Sequence, residues 1–207
     1  MSTLKATNLS HASAASPNIV LDSAGKVTFG GAVAGAGMDL ITPTSVAGTG
    51  VTVSGGAVTF TAATSVSVNG CFTATYSNYR IVMSAVSAAG AIDVNMRLRA
   101  AGTDASGAAT YSRQYLTAFN TTATAGTAAT TFWHPFYANT VAGFAAVELE
   151  NPATAVTTRF TAFGGAEVGV LITSGYHTAA TAYDGFTLYP GSSSITGTLH
   201  IYGYRNS

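Results

Sequence analysis

Hydrophobic and polar residues alternate with a period of two along most of this chain. The clearest case is Ile92-Asp93-Val94-Asn95-Met96-Arg97-Leu98-Arg99, where Ile92, Val94, Met96 and Leu98 fall on one side and Asp93, Asn95, Arg97 and Arg99 on the other. That is the pattern of a half-buried strand. Comparable runs occupy 79–86, 111–119, 129–137, 144–150, 156–163, 168–173, 184–189 and 195–204. Short strands separated by turns at this spacing predict an antiparallel β-sandwich of jelly-roll type. No window holds an apolar stripe at helical spacing with caps, so the 38 Ala are not read as helix; 32 Thr and 23 Gly beside them favour strands and turns.

Upstream, Val51-Thr52-Val53-Ser54-Gly55-Gly56-Ala57-Val58-Thr59-Phe60 places two alternating runs around Gly-Gly, a loop suited to a type I′ or II′ hairpin. In that register Val53 faces Val58 and Val51 faces Phe60. An isolated hairpin is marginal in water, so this apolar face is expected to be covered by other subunits, making Val51, Val53, Val58 and Phe60 interface candidates. The runs Gly25–Gly30 and Ser65–Gly70 look like repeats of the same thin β material.

Residues 1–62 contain no Tyr or Trp and only two Phe, poor material for a core. The expected organisation is an extended N-terminal β arm over 1–62 and a β-sandwich domain over 64–207. The polar stretch Asn120 to Thr130, rich in Thr and Ala, is expected to be an exposed loop.

Charge then narrows the function. Eight Lys plus Arg balance eight Asp plus Glu, and only 8% of residues are charged, where about 25% is usual. A net-neutral surface with little charge favours association, which suggests life inside an assembly. The six Arg and two Lys are scattered, so phosphate-neutralising contact with nucleic acid is not expected. The longest apolar stretch, Gly30 to Ile41, is short and carries Asp39, so no membrane insertion is expected. No apolar segment follows Lys5, which predicts synthesis in the cytoplasm without an export signal. The one cysteine, Cys71, permits no internal disulfide and reads as a small buried residue.

Candidate chemistry is thin. No Gly-x-Ser-x-Gly elbow occurs, and His11, His134, His177 and His200 lack metal-ligand spacing, so neither a catalytic residue nor a metal or cofactor is expected. His200 could meet its copies on a symmetry axis. Glu148 and Glu150 sit two apart on one strand face, better suited to pairing with Arg97, Arg99 or Arg159 than to glycoside hydrolysis. The feature compatible with binding is aromatic: Trp133, His134 and Tyr137 within Phe132–Tyr137, with Tyr176, His177 and Tyr183. Aromatic faces rimmed by neutral hydrogen-bonding groups suit sugar rings. The alternative is that Trp133 and its neighbours fill the sandwich core or a subunit interface.

Met1-Ser2-Thr3-Leu4-Lys5, Ser13–Pro17 and Ile19–Val27, then Cys71-Phe72-Thr73, Asn78–Ile81, Arg97–Ala100 with Gly102-Thr103-Asp104, and Thr196–Thr198 with Ile201–Arg205 together resemble small tailed-bacteriophage structural proteins of the tail-fibre or minor structural type. That resemblance spans nearly the whole chain. It implies a non-enzymatic virion protein, commonly a homotrimer, made in the host cytoplasm and released by lysis. Its N-terminal segment would hold another virion protein through residues 1–30, with Leu4, Leu9, Ile19, Leu21, Val27 and Phe29 as contacts. The outer β domain would adsorb to a host-surface glycan, as in a short tail fibre or receptor-binding appendage. The alternative is a capsid decoration or head-fibre protein.

Overall fold

Strand-forming residues and glycine turns dominate the chain, and its computed structural model is correspondingly all β. Residues 8–9, 19–21, 23, 27–29, 37–167 and 169–205 are described. The strands run β1 (Asn8–Leu9), β2 (Ile19–Leu21), β3 (Val27–Phe29), β4 (Met38–Ile41), β5 (Ser45–Ala47), β6 (Val51–Ser54), β7 (Ala57–Ala63), β8 (Val66–Asn69) and β9 (Asn78–Val86). They continue as β10 (Ile92–Ala100), β11 (Thr103–Asp104), β12 (Tyr111–Phe119), β13 (Thr122–Thr130), β14 (Trp133–Ala138), β15 (Gly143–Glu150), β16 (Thr158–Ala166), β17 (Gly169–His177), β18 (Gly185–Pro190) and β19 (Ile195–Tyr204).

The chain divides into two units, residues 1–37 and 38–206. The first contains an antiparallel sheet in the order β1-β2-β3. Its register sets Leu9 opposite Ile19, Ile19 opposite Phe29, and Leu21 opposite Val27. Five of the six apolar residues singled out in the sequence thus lie on its strands; Leu4, like His11, falls outside the described residues.

The second unit is a jelly roll. Its pairs β7/β19, β8/β18, β9/β15 and β10/β14 nest along the chain, giving one sheet β7-β19-β9-β15 and a facing sheet β8-β18-β10-β14. The large sheet is prolonged by β16-β17-β12-β13, contributed by the β10–β14 and β15–β18 connections. At its other end β6 flanks β7, and β4 pairs with β19. The small sheet gains β5 beside β8 and β11 beside the end of β10.

The boundary therefore lies near residue 37, not 62, because β4 to β7 are strands of the sandwich. The expected hairpin forms with Val51 opposite Phe60 and Val53 opposite Val58. Gly55 and Gly56 adopt φ of 56° and 83°, left-handed at both central positions as a type I′ turn requires. Its apolar face is covered by this chain rather than by other subunits: Val58 and Phe60 are buried in the core, and Val51 and Val53 pack against it. Residues 66–69 likewise form β8, which pairs with β18 in the small sheet.

Between the sheets, inward residues alternate as the pattern demands. Ile92, Val94, Met96 and Leu98 are all buried. Asn95, on the opposite side, is buried too, beside Tyr189, whose ring lies under the Arg97 guanidinium at 4.8 Å. The large rings anchor the core: Trp133 stacks on Phe160 at 4.6 Å, and Tyr111 meets Trp133 edge-on at 5.0 Å. Tyr111 can be buried because its hydroxyl donates to the Ala105 carbonyl at 2.7 Å and accepts from the Leu98 N–H at 2.9 Å.

The stretch expected as a loop over Asn120–Thr130 is instead a hairpin arm. Asn120 (φ 49°) turns the chain, and β13 then pairs with β12 over nine residues. Thr is a good strand former, and its mixture with Ala carries too little apolar bulk for the pattern to announce a strand.

Candidate functional site: the outer face of the large sheet

The strands of the large sheet place two kinds of surface side by side. Direct cross-strand neighbours form the row Val82, Ala146, Phe163, Ile172, Leu116, Ala125 across β9, β15, β16, β17, β12 and β13. The next row runs Ser84, Phe144, Gly165, Val170, Ala118, Ala123 across the same strands. Val82, Leu116, Phe144, Phe163, Val170 and Ile172 are each 40–49% exposed, so this is an apolar stripe open to solvent. Phe144 lies across Gly165, where an added Cβ would stand 2.7 Å from its ring, and its ring centre is 5.9 Å from that of Phe163. At about 4.8 Å per strand the stripe is about 24 Å long and two rows wide. A contiguous apolar patch of that extent is a candidate interaction surface.

The adjoining rows are polar. Arg80 on β9 pairs with Glu148 on β15 at 3.2 Å, and Glu150 on β15 pairs with Arg159 on β16 at 3.1 Å. The Tyr204 hydroxyl donates to Glu148 Oε2 at 2.8 Å. Burial, and then the adjacent carboxylate, push that phenol above its ordinary range. Thr161 and Ser174 share a hydrogen bond at 3.2 Å. Together with Asn78 these groups, Arg80 apart, line a groove of about 420 Å³. A second hollow of about 410 Å³ continues across Ser112, Gln114 and Tyr176.

The aromatic cluster read from the sequence is largely internal. Trp133, His134, His177 and Tyr183 are buried, so they are core residues rather than a receptor surface; Tyr137 is half-buried against Phe119 and His134, and Tyr176 alone of the six is exposed. The physical reason is register: β14 is covered on both sides, inward by the sandwich and outward by the β12–β13 hairpin, whose Phe119 and Arg113 lie over Tyr137 and Phe132.

His134 donates from Nε2 to the Phe136 carbonyl at 2.9 Å, and burial lowers its pKa to about 4. His177 Nδ1 lies 3.0 Å from the Tyr183 hydroxyl and accepts from the Ala179 N–H at 3.3 Å; burial lowers its pKa as well. Asp104, Thr110 and Tyr183 line with it a hollow of about 320 Å³. Cys71 is buried and its thiol is pushed well up by desolvation.

His200, half-buried on the outer face, sits opposite Val82 and stacks with Tyr202 at 6.5 Å. Glu150 takes Arg159, as its strand position suggested, while Glu148 takes Arg80; Arg99 instead bonds Asp104, Thr187 and Asn69.

Among the described residues no group of three or more His, Cys, Asp or Glu is placed to hold a metal ion, and no helix is long and apolar enough to cross a membrane. The outer-face stripe escaped sequence reading, although a signal existed: β15 to β17 carry Phe144, Phe163, Val170 and Ile172 at outward positions as well as apolar residues at inward ones. No family model matches the chain, and no curated protein matches it.

Proposed function

We propose that this chain is a non-enzymatic structural protein of a tailed-bacteriophage particle, held there through its N-terminal segment and displaying the jelly roll as a short tail fibre or receptor-binding appendage. A jelly roll assigns no function by itself. The observation that carries the reading is the two-part outer face, where an apolar stripe adjoins a polar groove. An exposed stripe through Phe163, Ile172 and Leu116 suits packing among neighbouring subunits in a low-charge assembly. The groove suits a host-surface glycan: carboxylate and guanidinium groups of Glu150 and Arg159 match sugar hydroxyls, and Tyr176 and Tyr204 offer ring faces. The sequence resemblance to phage tail-fibre proteins supplies the particle.

The test is a cryo-EM map of intact particles with adsorption measured in parallel. A few copies at the tail, with adsorption reduced by Arg159→Ala and Tyr176→Ala in particles of normal composition, is the expected result. Density repeated over the capsid lattice makes the chain a decoration protein instead. Absence from the particle removes the reading altogether.

A further inference from the structure

The outermost strand of the large sheet, β13, reads Thr-Ala-Thr-Ala-Gly-Thr-Ala-Ala-Thr. It pairs with β12 through all nine residues without a register shift, and among the described residues no strand lies on its far side. Edge strands are usually kept from pairing by shortness, by Lys or Pro, or by a bulge. β13 has none of these. At the sheet's other end the edge is short, with β6 only four residues long.

The hydrogen-bonding sense of β13 follows from its turn. Asn120 and Thr121 form a two-residue loop closed by the Phe119–Thr122 pair. Such a closing pair exchanges backbone hydrogen bonds, and alternation then directs Thr122, Thr124, Gly126, Ala128 and Thr130 toward β12. The neighbouring ladder agrees: the Ser112 and Ala118 carbonyls lie against Gly175 and Gly169 of β17, which leaves the odd-numbered residues of β12 to face β13. The N–H and C=O groups of Ala123, Ala125, Thr127 and Ala129 therefore point away from the sheet.

We propose that two copies of this chain pair through β13, antiparallel, about a twofold axis at Gly126. Ala125 then lies opposite Thr127 of the second copy, and Ala123 opposite Ala129. In this register all four outward-facing residues become hydrogen-bonded pairs, giving about eight backbone hydrogen bonds. Gly126 meets its own copy at a position where strands approach most closely.

A second copy fits better than another strand for two reasons. The sequence is nearly symmetric in size about Gly126, so each half presents only methyl and hydroxyl groups to the other. It carries no charge to select a charged partner, in a chain whose net charge is zero. The interface is isologous and closed, and it places the outer faces of both sheets on the same side.

The test is sedimentation of the full chain against concentration, wild type beside Ala125→Pro. That proline removes an N–H directed away from β12, so the hairpin ladder keeps its hydrogen bonds. Thr127→Lys is the second variant should the proline perturb folding, with circular dichroism and melting temperature as controls for both. The expected result is an association of even order in the wild type, weakened about tenfold or more in a folded variant. Backbone amides of Ala123, Ala125, Thr127 and Ala129 should also exchange more slowly as concentration rises.

A wild type that stays monomeric, a trimer whose mass neither variant changes, or exchange at those four amides that ignores concentration would each overturn the pairing. It does not depend on the phage reading: the chain can pair through β13 whatever particle it belongs to.

Discussion

Asp39 and Arg205 close the jelly-roll unit by joining its first strand to the residue that follows its last. The Arg205 Nε donates to both carboxylate oxygens, at 2.9 and 3.0 Å, and the Tyr76 hydroxyl donates to Oδ2 at 2.8 Å. These hydrogen bonds, Arg205 first, hold the Asp39 carboxyl below its ordinary range. A depressed carboxyl contributes stability above the unfolded value of about 4 and loses it as pH falls toward the folded value. Asp39→Asn is expected to lower the melting temperature at neutral pH by a modest amount, since the group is only partly buried. The difference from wild type should shrink as pH falls below the unfolded value of about 4. Thermal melts of both proteins across acid pH measure it; a deficit that persists at low pH would assign the effect to packing.

His134 gives a second pH dependence, displaced to higher pH. Its side chain is buried, and burial lowers the pKa from 6.5 to about 4 although the Asp93 carboxylate, with Oδ1 at 3.7 Å, pulls the other way. Desolvation wins that contest. The unfolded chain binds a proton at about pH 6.5 that the folded chain refuses, so stability falls from about pH 6.5 to about pH 4 as pH is lowered. The loss attributable to this group is on the order of 3 kcal/mol. His177, shifted the same way by burial, adds to it. In His134→Gln, whose amide can still donate to the Phe136 carbonyl, the slope of unfolding free energy against pH should be shallower in that window. An unchanged slope would show that His134 titrates normally in the folded state.

Much of this architecture could be read from the chain because its strands obey one rule. The alternation at Ile92–Arg99 gave the buried set of β10, and the runs 111–119 and 195–204 coincide with β12 and β19. The Gly55-Gly56 pair announced a hairpin with the observed register. What the rule does not carry is tertiary cover. Val58 and Phe60 belong to a hairpin of ordinary local pattern, and only the placement of β7 beside β19 buries them in their own domain. Trp133 suited the core, a subunit interface or a receptor surface by local pattern, and only the cover of β14 by the large sheet and the β12–β13 hairpin decides for the core. The outer groove was invisible for the same reason. Glu150 and Arg159 are close in sequence, but Asn78 and Tyr204 join them only when β9 lies alongside β15 and β19 alongside β9.

The apolar stripe predicts solution behaviour separable from stability. Phe163 is 46% exposed at the centre of the stripe, and Phe163→Lys leaves an aliphatic stem that can keep covering the surface beneath the ring. Its effect on unfolding free energy should stay within about 0.5 kcal/mol. A charge placed among Ile172, Ala146 and Phe144 should nonetheless raise solubility and weaken association through this face. Light scattering against concentration compares the variant with wild type. If both associate equally, the stripe is not a contact surface; if the variant unfolds, Phe163 is supporting the core from outside.

Trp133 and Tyr176 separate core from surface by opposite outcomes. Trp133 is fully buried, stacked on Phe160 at 4.6 Å and met edge-on by Tyr111, so Trp133→Ala removes a large ring from the middle of the sandwich. The expected cost is about 3 to 5 kcal/mol, a large part of the stability of a domain of this size. Tyr176 is 46% exposed beside the polar groove, and Tyr176→Ala should alter stability by no more than about 0.5 kcal/mol. Denaturant unfolding of the two variants resolves the difference directly, and under the proposed appendage function host adsorption should follow the reverse order once each is scaled to its folded fraction. A folded Trp133→Ala protein with near wild-type stability would mean the ring is not packed as described, and would return the Phe132–Tyr137 segment to the surface.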